Sequence, residues 1–342
     1  MKPVRALACL ASSAAVLATA CGESDRPAAT IDGTEISQQQ VVDELEAIRG
    51  NGPYLEAVEQ AQPVVGQSEG SFDAAFVAGV LTNQIQFTLV FNEVERRALD
   101  APDECRAAVR ADLVDRMAQA SATGDGEGVL DSFPEAYRST LVDRDTSVRV
   151  LQADLAGLSC DERAAAEAYY DDHRPDFEQL CLSHILLETA DDAADVQADL
   201  AEGADFATVA QSESIDTQSA AQGGDVGCQL IGQLPTELAS LLGATQTGLV
   251  AGPIETGGGF SLILVRSREV PDLDEIRDVV EQQVASSIAD SFRAWLFEAL
   301  DGADVTVDPR YGEWNPTSGE VERNPSSSAT LPSTTAPPAA DE

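Results

Sequence analysis

The 342-residue sequence predicts an α+β protein in which a small antiparallel sheet with surrounding helices is set into a longer, all-helical framework. Three observations predict it. Apolar residues recur at helical spacing through most of residues 37–173 and again after Pro271. Between Leu180 and Arg268 the period changes: residues 181–187 are strand-like, 191–200 and 205–211 are helical, and 260–265 are β-rich. The order of one strand, two helices, a short helix and further strands departs from the regular alternation of a parallel sheet.

At the N-terminus, Lys2 and Arg5 precede an apolar run at residues 6–20, too short for a permanent membrane span. The run ends in Leu17-Ala18-Thr19-Ala20-Cys21-Gly22, which resembles a bacterial lipobox with Leu one residue further from the cysteine than usual. Cys21 is the expected lipidation site and membrane anchor, each buried CH2 of its acyl chains contributing about 0.8 kcal/mol. An ordinary Ala-Thr-Ala cleavage site is the alternative. No other stretch reads as a membrane span.

Residues 22–29 form a short polar tether, and residues 29–36 read as two extended pieces about the Asp32-Gly33 turn. Ser37 caps a helix whose Val41, Val42, Leu45 and Ile48 share one face. Residues 51–75, rich in Gly, Pro and Gln, predict mixed loop and helix. Helical patterns follow over 76–99, from Asp103 to Met117, over 134–155 and over 160–173. After Pro271 a long amphipathic helix presents Leu273, Ile276, Val280, Val284, Ile288, Phe292, Trp295 and Leu296 on its apolar side. From Asn315 onward Pro, Ser, Thr and Ala dominate, a composition that predicts disorder.

The formal charge of −40 is the wrong sign for a polyphosphate backbone, so nucleic acid is excluded as a partner. With Cys9 in the signal and Cys21 lipidated, Cys105, Cys160, Cys181 and Cys228 remain. An even number in an exported chain predicts two disulfides. Three pairings are possible, and domain organisation favours Cys105 with Cys160 and Cys181 with Cys228. A structural zinc site lacks the C-x2-C spacing it usually needs. No metal or cofactor is expected.

Four segments occur in register: Ser183-His184-Ile185-Leu186-Leu187, Gly203-Ala204-Asp205-Phe206-Ala207, Gly223-Gly224-Asp225-Val226-Gly227, and Gly248 with Gly252-Pro253-Ile254 and Thr256. Together they resemble a parvulin-type (PpiC) peptidyl-prolyl cis-trans isomerase domain. The segments flanking it resemble the chaperone portions of exported foldases of the PrsA and SurA kind. The resemblance implies catalytic roles for His184, Asp216, Thr217, Thr256 and Ser261, and substrate contacts at Leu234, Leu238 and Phe260. It departs from the family pattern in two places: Ser261 stands where a second histidine is expected, and Leu238 replaces a pocket phenylalanine. Without an aromatic slot wall and with a curtailed hydrogen-bond network, activity is expected to be weak or absent. A glycine-rich phosphate cradle and a Ser-His-Asp hydrolase both lack their remaining motif elements.

The expected organisation is a signal peptide at 1–21, a tether at 22–29 and a helical chaperone-like domain at 30–177. A parvulin domain at 178–270, a C-terminal helix at 271–312 packing on the chaperone-like domain, and a disordered tail at 313–342 complete it. The expected function is prolyl isomerisation assisting the folding of newly exported polypeptides that contain X-Pro bonds. The alternative is a chaperone whose degenerate domain binds clients without turning them over.

Overall fold

The structure, a computed structural model, describes residues 26–323. The signal peptide, Cys21 and the last part of the tail lie outside the described residues. In chain order the elements are β1 (Ala29–Ile31), β2 (Thr34–Ile36), α1 (Gln38–Gly50), α2 (Gly52–Glu59), α3 (Ala74–Arg97), α4 (Asp103–Ala120), α5 (Gly126–Asp131), α6 (Glu135–Ala156) and α7 (Glu162–Asp172). Then come β3 (Gln179–Leu187), α8 (Ala190–Ala201), α9 (Phe206–Glu213), α10 (Thr217–Ala220), β4 (Asp225–Leu230), α11 (Thr236–Ala244), β5 (Val250–Thr256) and β6 (Gly259–Glu269). α12 (Arg277–Gly302), β7 (Val305–Val307), β8 (Glu313–Asn315) and β9 (Glu320–Glu322) complete the described chain.

The chain divides into two compact units. The first holds residues up to Leu99, Arg106–Val148 and the segment from Leu296; the second holds Asp100–Cys105 and Arg149–Trp295.

In the first unit the expected hairpin forms about Asp32 and Gly33, both at positive φ (50° and 85°), the geometry an Asp-Gly turn supplies with least strain. β1 then becomes the centre of a three-stranded antiparallel sheet by pairing on its other side with β7. Ser37 caps α1 through a reciprocal capping box with Gln40. Val41, Val42, Leu45 and Ile48 are buried, as their spacing predicts. Ala47 of α1 packs with Val109, Leu113 and Met117 of α4, Val129 and Leu130 of α5, and Phe133.

α3 amends one expectation, because it is long and apolar enough to cross a membrane by length and composition. Its apolar residues Phe76, Val80, Leu81, Ile85 and Leu89 are instead buried in this unit's core. The expected disorder from residue 313 also needs correction. β8 and β9 form a hairpin, Val321 is buried, and its backbone N–H donates to Thr82 Oγ1 of α3 at 2.8 Å. Gln86 of α3 also donates to the Gly319 carbonyl at 3.1 Å, so this segment is tied to a distant helix in a way its polar composition does not record.

The second unit is built on a four-stranded antiparallel sheet of order β4-β3-β6-β5. On one face Ile185, Leu187 and Leu262 pack against Ala193 and Val196 of α8 and Phe206 and Ala210 of α9. On the other, Leu180, Leu182, Ile263 and Val265 pack against Leu242 of α11, with Leu234, Leu238 and Ile254 at the margin. A third cluster joins Ala165, Ala166, Tyr169 and Tyr170 of α7 to Phe177, Leu230, Ile276, Val280 and Val284. The contacts therefore place α7 and most of α12 in the sheet-containing unit, rather than dividing the chain at residues 177/178 and 270/271. Among the described residues Cys105–Cys160 and Cys181–Cys228 are disulfide-bonded, and the second joins directly opposed residues of β3 and β4.

Candidate functional site

The two-residue period of β3 puts His184 on the same sheet face as Leu180 and Leu182, and Ile185 and Leu187 on the other. The His184 backbone N–H donates to the Gly224 carbonyl at 2.8 Å, which sets β3 against the turn leading into β4. That approach needs glycine. Gly224 has φ of +81°, and a Cβ there would collide with the His184 carbonyl.

The same turn returns the chain from α10, whose N-cap is Asp216. Asp216 Oδ1 accepts from the Gln218 backbone N–H at 3.1 Å, leaving Oδ2 for His184 Nε2 at 2.8 Å and Ser219 Oγ at 2.5 Å. Ser219 Oγ is also 2.9 Å from His184 Nε2. On the opposite edge of the ring, Nδ1 lies 3.5 Å from Ser261 Oγ, the long limit for a hydrogen bond. Ser261 is buried and reaches this place because β6 runs antiparallel to β3, with Ser261 opposite Leu186 and Ile263 opposite His184.

Hydrogen bonds from Ser219 and then His184 hold the Asp216 carboxyl down to about 2, so it is ionised at neutral pH. An ionised carboxylate only accepts, so His184 carries a proton on Nε2. In the neutral ring Nδ1 is then an acceptor facing the Ser261 hydroxyl. The arrangement can present an oriented imidazole and a hydroxyl on the sheet face that also carries Leu234 and Leu238. Among the described residues no group of three or more His, Cys, Asp or Glu could hold a metal ion.

The structure brings together His184, Asp216 and Ser261, with Leu234 and Leu238 on the same sheet face. Thr256 shares that face by its alternation with Ile254, whereas Thr217 and Phe260 are not brought there. Thr217 is exposed at the first position of α10 and makes no side-chain hydrogen bond among the described residues. Thr256 sits at the exposed β5–β6 tip, its hydroxyl donating to the Gly259 carbonyl at 3.0 Å. Phe260 is one residue out of phase with Ser261, and alternation sends its ring to the opposite face against the α8–α9 cluster.

Sequence reading missed Ser219. The available signal was Asp216-x-x-Ser219, the spacing that lets the third residue of a helix reach back to its N-cap.

The first unit holds a separate cleft of about 510 Å³, whose walls include Tyr54, Phe76, Val80, Phe87, Tyr137 and Leu141. Beside it, Arg144 makes two hydrogen bonds to Glu44, at 2.7 and 2.8 Å.

Residues 184–267 match the Rotamase family model, described as a PPIC-type PPIASE domain. The foldase protein PrsA of Caldanaerobacter subterraneus subsp. tengcongensis is 32% identical over 113 residues, which cover 33% of this chain and 37% of that protein. The periplasmic chaperone PpiD of Haemophilus influenzae is 31% identical over 110 residues, 32% of this chain and 18% of that protein. A longer match is the foldase protein PrsA of Halalkalibacterium halodurans, 23% identical over 305 residues, 89% of this chain and 83% of that protein. The first two matches span well under two thirds of those relatives. Residues 184–267 of this chain are thus a parvulin-type PpiC domain, carried in a mixed helix-and-sheet protein similar to the PrsA foldases.

Proposed function

We propose that the chain is an extracytoplasmic peptidyl-prolyl cis-trans isomerase that assists the folding of exported polypeptides. The observation that carries the reading is His184, held by Asp216 and Ser219, on the sheet face that also carries Leu234 and Leu238. Rotation about an X-Pro amide meets a barrier of roughly 18–20 kcal/mol, maintained by resonance that disappears when the amide twists. No covalent step is needed. A slot that takes the proline ring out of water and presents polar groups to the twisted amide more favourably than to the planar one lowers the barrier. Leu234 and Leu238 supply the apolar wall, while the Ser261 hydroxyl and the His184 ring supply the oriented dipoles. The cleft bounded by Tyr54, Phe87 and Tyr137 is the proposed holding site for extended client segments.

The two disulfides and the signal-like N-terminus favour an oxidising compartment outside the cytoplasm. Membrane attachment through lipidated Cys21 belongs to the same proposal. The 3.5 Å separation of Ser261 from His184 favours a second reading, in which the domain binds X-Pro segments without turning them over.

A protease-free prolyl peptide assay, run beside a client-aggregation assay, tests both. Acceleration abolished in His184→Ala supports the isomerase. No acceleration, with aggregation still suppressed, replaces it with the chaperone.

A further inference from the structure

His184 Nε2 and the two oxygens beside it form a closed set. Nε2 is 2.8 Å from Asp216 Oδ2 and 2.9 Å from Ser219 Oγ, and that oxygen is 2.5 Å from the same Oδ2. A serine has one hydroxyl proton, and the carboxylate is the stronger acceptor, so Ser219 donates to Asp216 and turns its lone pairs toward the Nε2 proton.

Asp216 needs this second anchor because its side chain is 30% exposed. Among the described residues, only the Gln218 N–H at 3.1 Å holds its other oxygen. Ser219, at 5% exposure, is the buried member of the set, on the third residue of the helix that Asp216 caps. Without its hydroxyl, the carboxylate is free to rotate to water and leave Nε2 without an obligate acceptor.

We propose that Ser219 is a positioning residue that locks His184 in the Nε2–H tautomer by fixing the Asp216 carboxylate, thereby keeping Nδ1 as an acceptor directed at Ser261. Such a lock matters more in a site with one histidine than in one with two, because no second imidazole can restore the orientation. The inference concerns the site proposed above as the isomerase centre, but its decisive readout does not depend on turnover.

The chain contains two histidines, and the second is an internal control. His173 Nδ1 lies 2.9 Å from the Tyr169 carbonyl, which only accepts, so that ring is the Nδ1–H tautomer. Long-range 1H–15N correlation spectra of the 15N-labelled full chain distinguish the two forms. The expected result is His184 protonated on Nε2 and His173 on Nδ1.

In Ser219→Ala, His184 is expected to shift toward an averaged tautomer mixture while His173 stays unchanged. Where the wild type turns over, kcat should fall about tenfold with KM within about twofold, as for a misplaced catalytic group. An unchanged His184 spectrum in Ser219→Ala, or a wild-type His184 protonated on Nδ1, overturns the proposal. Should Ser219→Ala not fold, Ser219→Cys keeps the volume, weakens the donor and yields the same readout. Absence of turnover in the wild type removes the isomerase reading and leaves the tautomer test intact.

Discussion

Each unit has a carboxylate bound by a cationic or imidazole partner and a neutral side chain, and the two clusters are built to opposite ends. In the first unit, Glu44 is met by both terminal nitrogens of Arg144, by Gln84 Nε2 at 2.6 Å and by the Tyr137 hydroxyl at 3.2 Å. The Glu44 and Arg144 side chains are only 9% and 12% exposed, and the guanidinium lies over the Phe87 ring. In the second unit, His184 and Asp216 are 22% and 30% exposed, and the far ring nitrogen has one contact at the long limit. A buried carboxylate met by four donors specifies packing, because its own lone pairs are spent on the protein itself. A cluster with one edge tied and the other nearly free keeps capacity for a ligand. Direction and burial, more than residue type, separate the Glu44–Arg144 pair from the pair at the proposed site.

The largest expected effect attacks the Glu44 cluster. Arg144→Ala leaves the Glu44 charge buried without its partner and should cost about 3–5 kcal/mol. Urea denaturation followed by circular dichroism measures it, and a loss below about 1 kcal/mol would show that water reaches the site and that the contrast drawn above is false.

Removing Cys181–Cys228 should come next. Residues 47 apart are tied, which the chain-entropy model values at about 4 kcal/mol before any compensation in the unfolded state. Comparing the melting curve of Cys181→Ser/Cys228→Ser with that of the wild type checks it. Because β4 also carries the turn against His184, prolyl-peptide turnover in this variant should fall with the melting temperature; full turnover at unchanged stability would uncouple the disulfide from the site.

His184→Ala should show the reverse of Arg144→Ala. Turnover is expected to drop about a hundredfold, equivalent to roughly 2.7 kcal/mol of activation free energy, while stability changes by under about 1 kcal/mol. A protein that loses stability and activity in proportion would place His184 with Glu44 as a packing residue.

The smallest effect is acid dependence. The Asp216 carboxyl is lowered from 3.8 to about 2 in the folded protein. Its contribution to stability is therefore complete above the unfolded value and is lost as pH falls through the window between the two. Asp216→Asn should remove that part of the acid limb, measured as the difference between wild-type and variant melting temperatures from pH 5 to pH 2. A difference that stays constant over this range would show that Asp216 is not held ionised by its neighbours.

Much of this was legible because it was local or strongly patterned. The Ser37 cap, the Asp32-Gly33 turn and the strand period around His184 each depend on residues a few positions apart. The cysteine pairing followed from counting within regions, and the Gly223-Gly224 turn needed only the backbone freedom that glycine provides. Phe260 was misassigned because the motif located the strand without its phase, and one residue of phase reverses the face. Ser219 went unnoticed because a serine in a four-residue helix carries no periodic signal.

The sequence by itself determined the type of most elements, the parvulin-like segment and the candidate histidine, since each is encoded in short-range spacing. Only the tertiary structure decided that β7 completes the sheet begun by β1, that Val321 docks on α3, and that Asp216 rather than Thr217 reaches His184. Those outcomes depend on contacts between distant residues, where closing the chain costs entropy that the burial and hydrogen bonds of the whole fold must outweigh, and no local pattern records that balance.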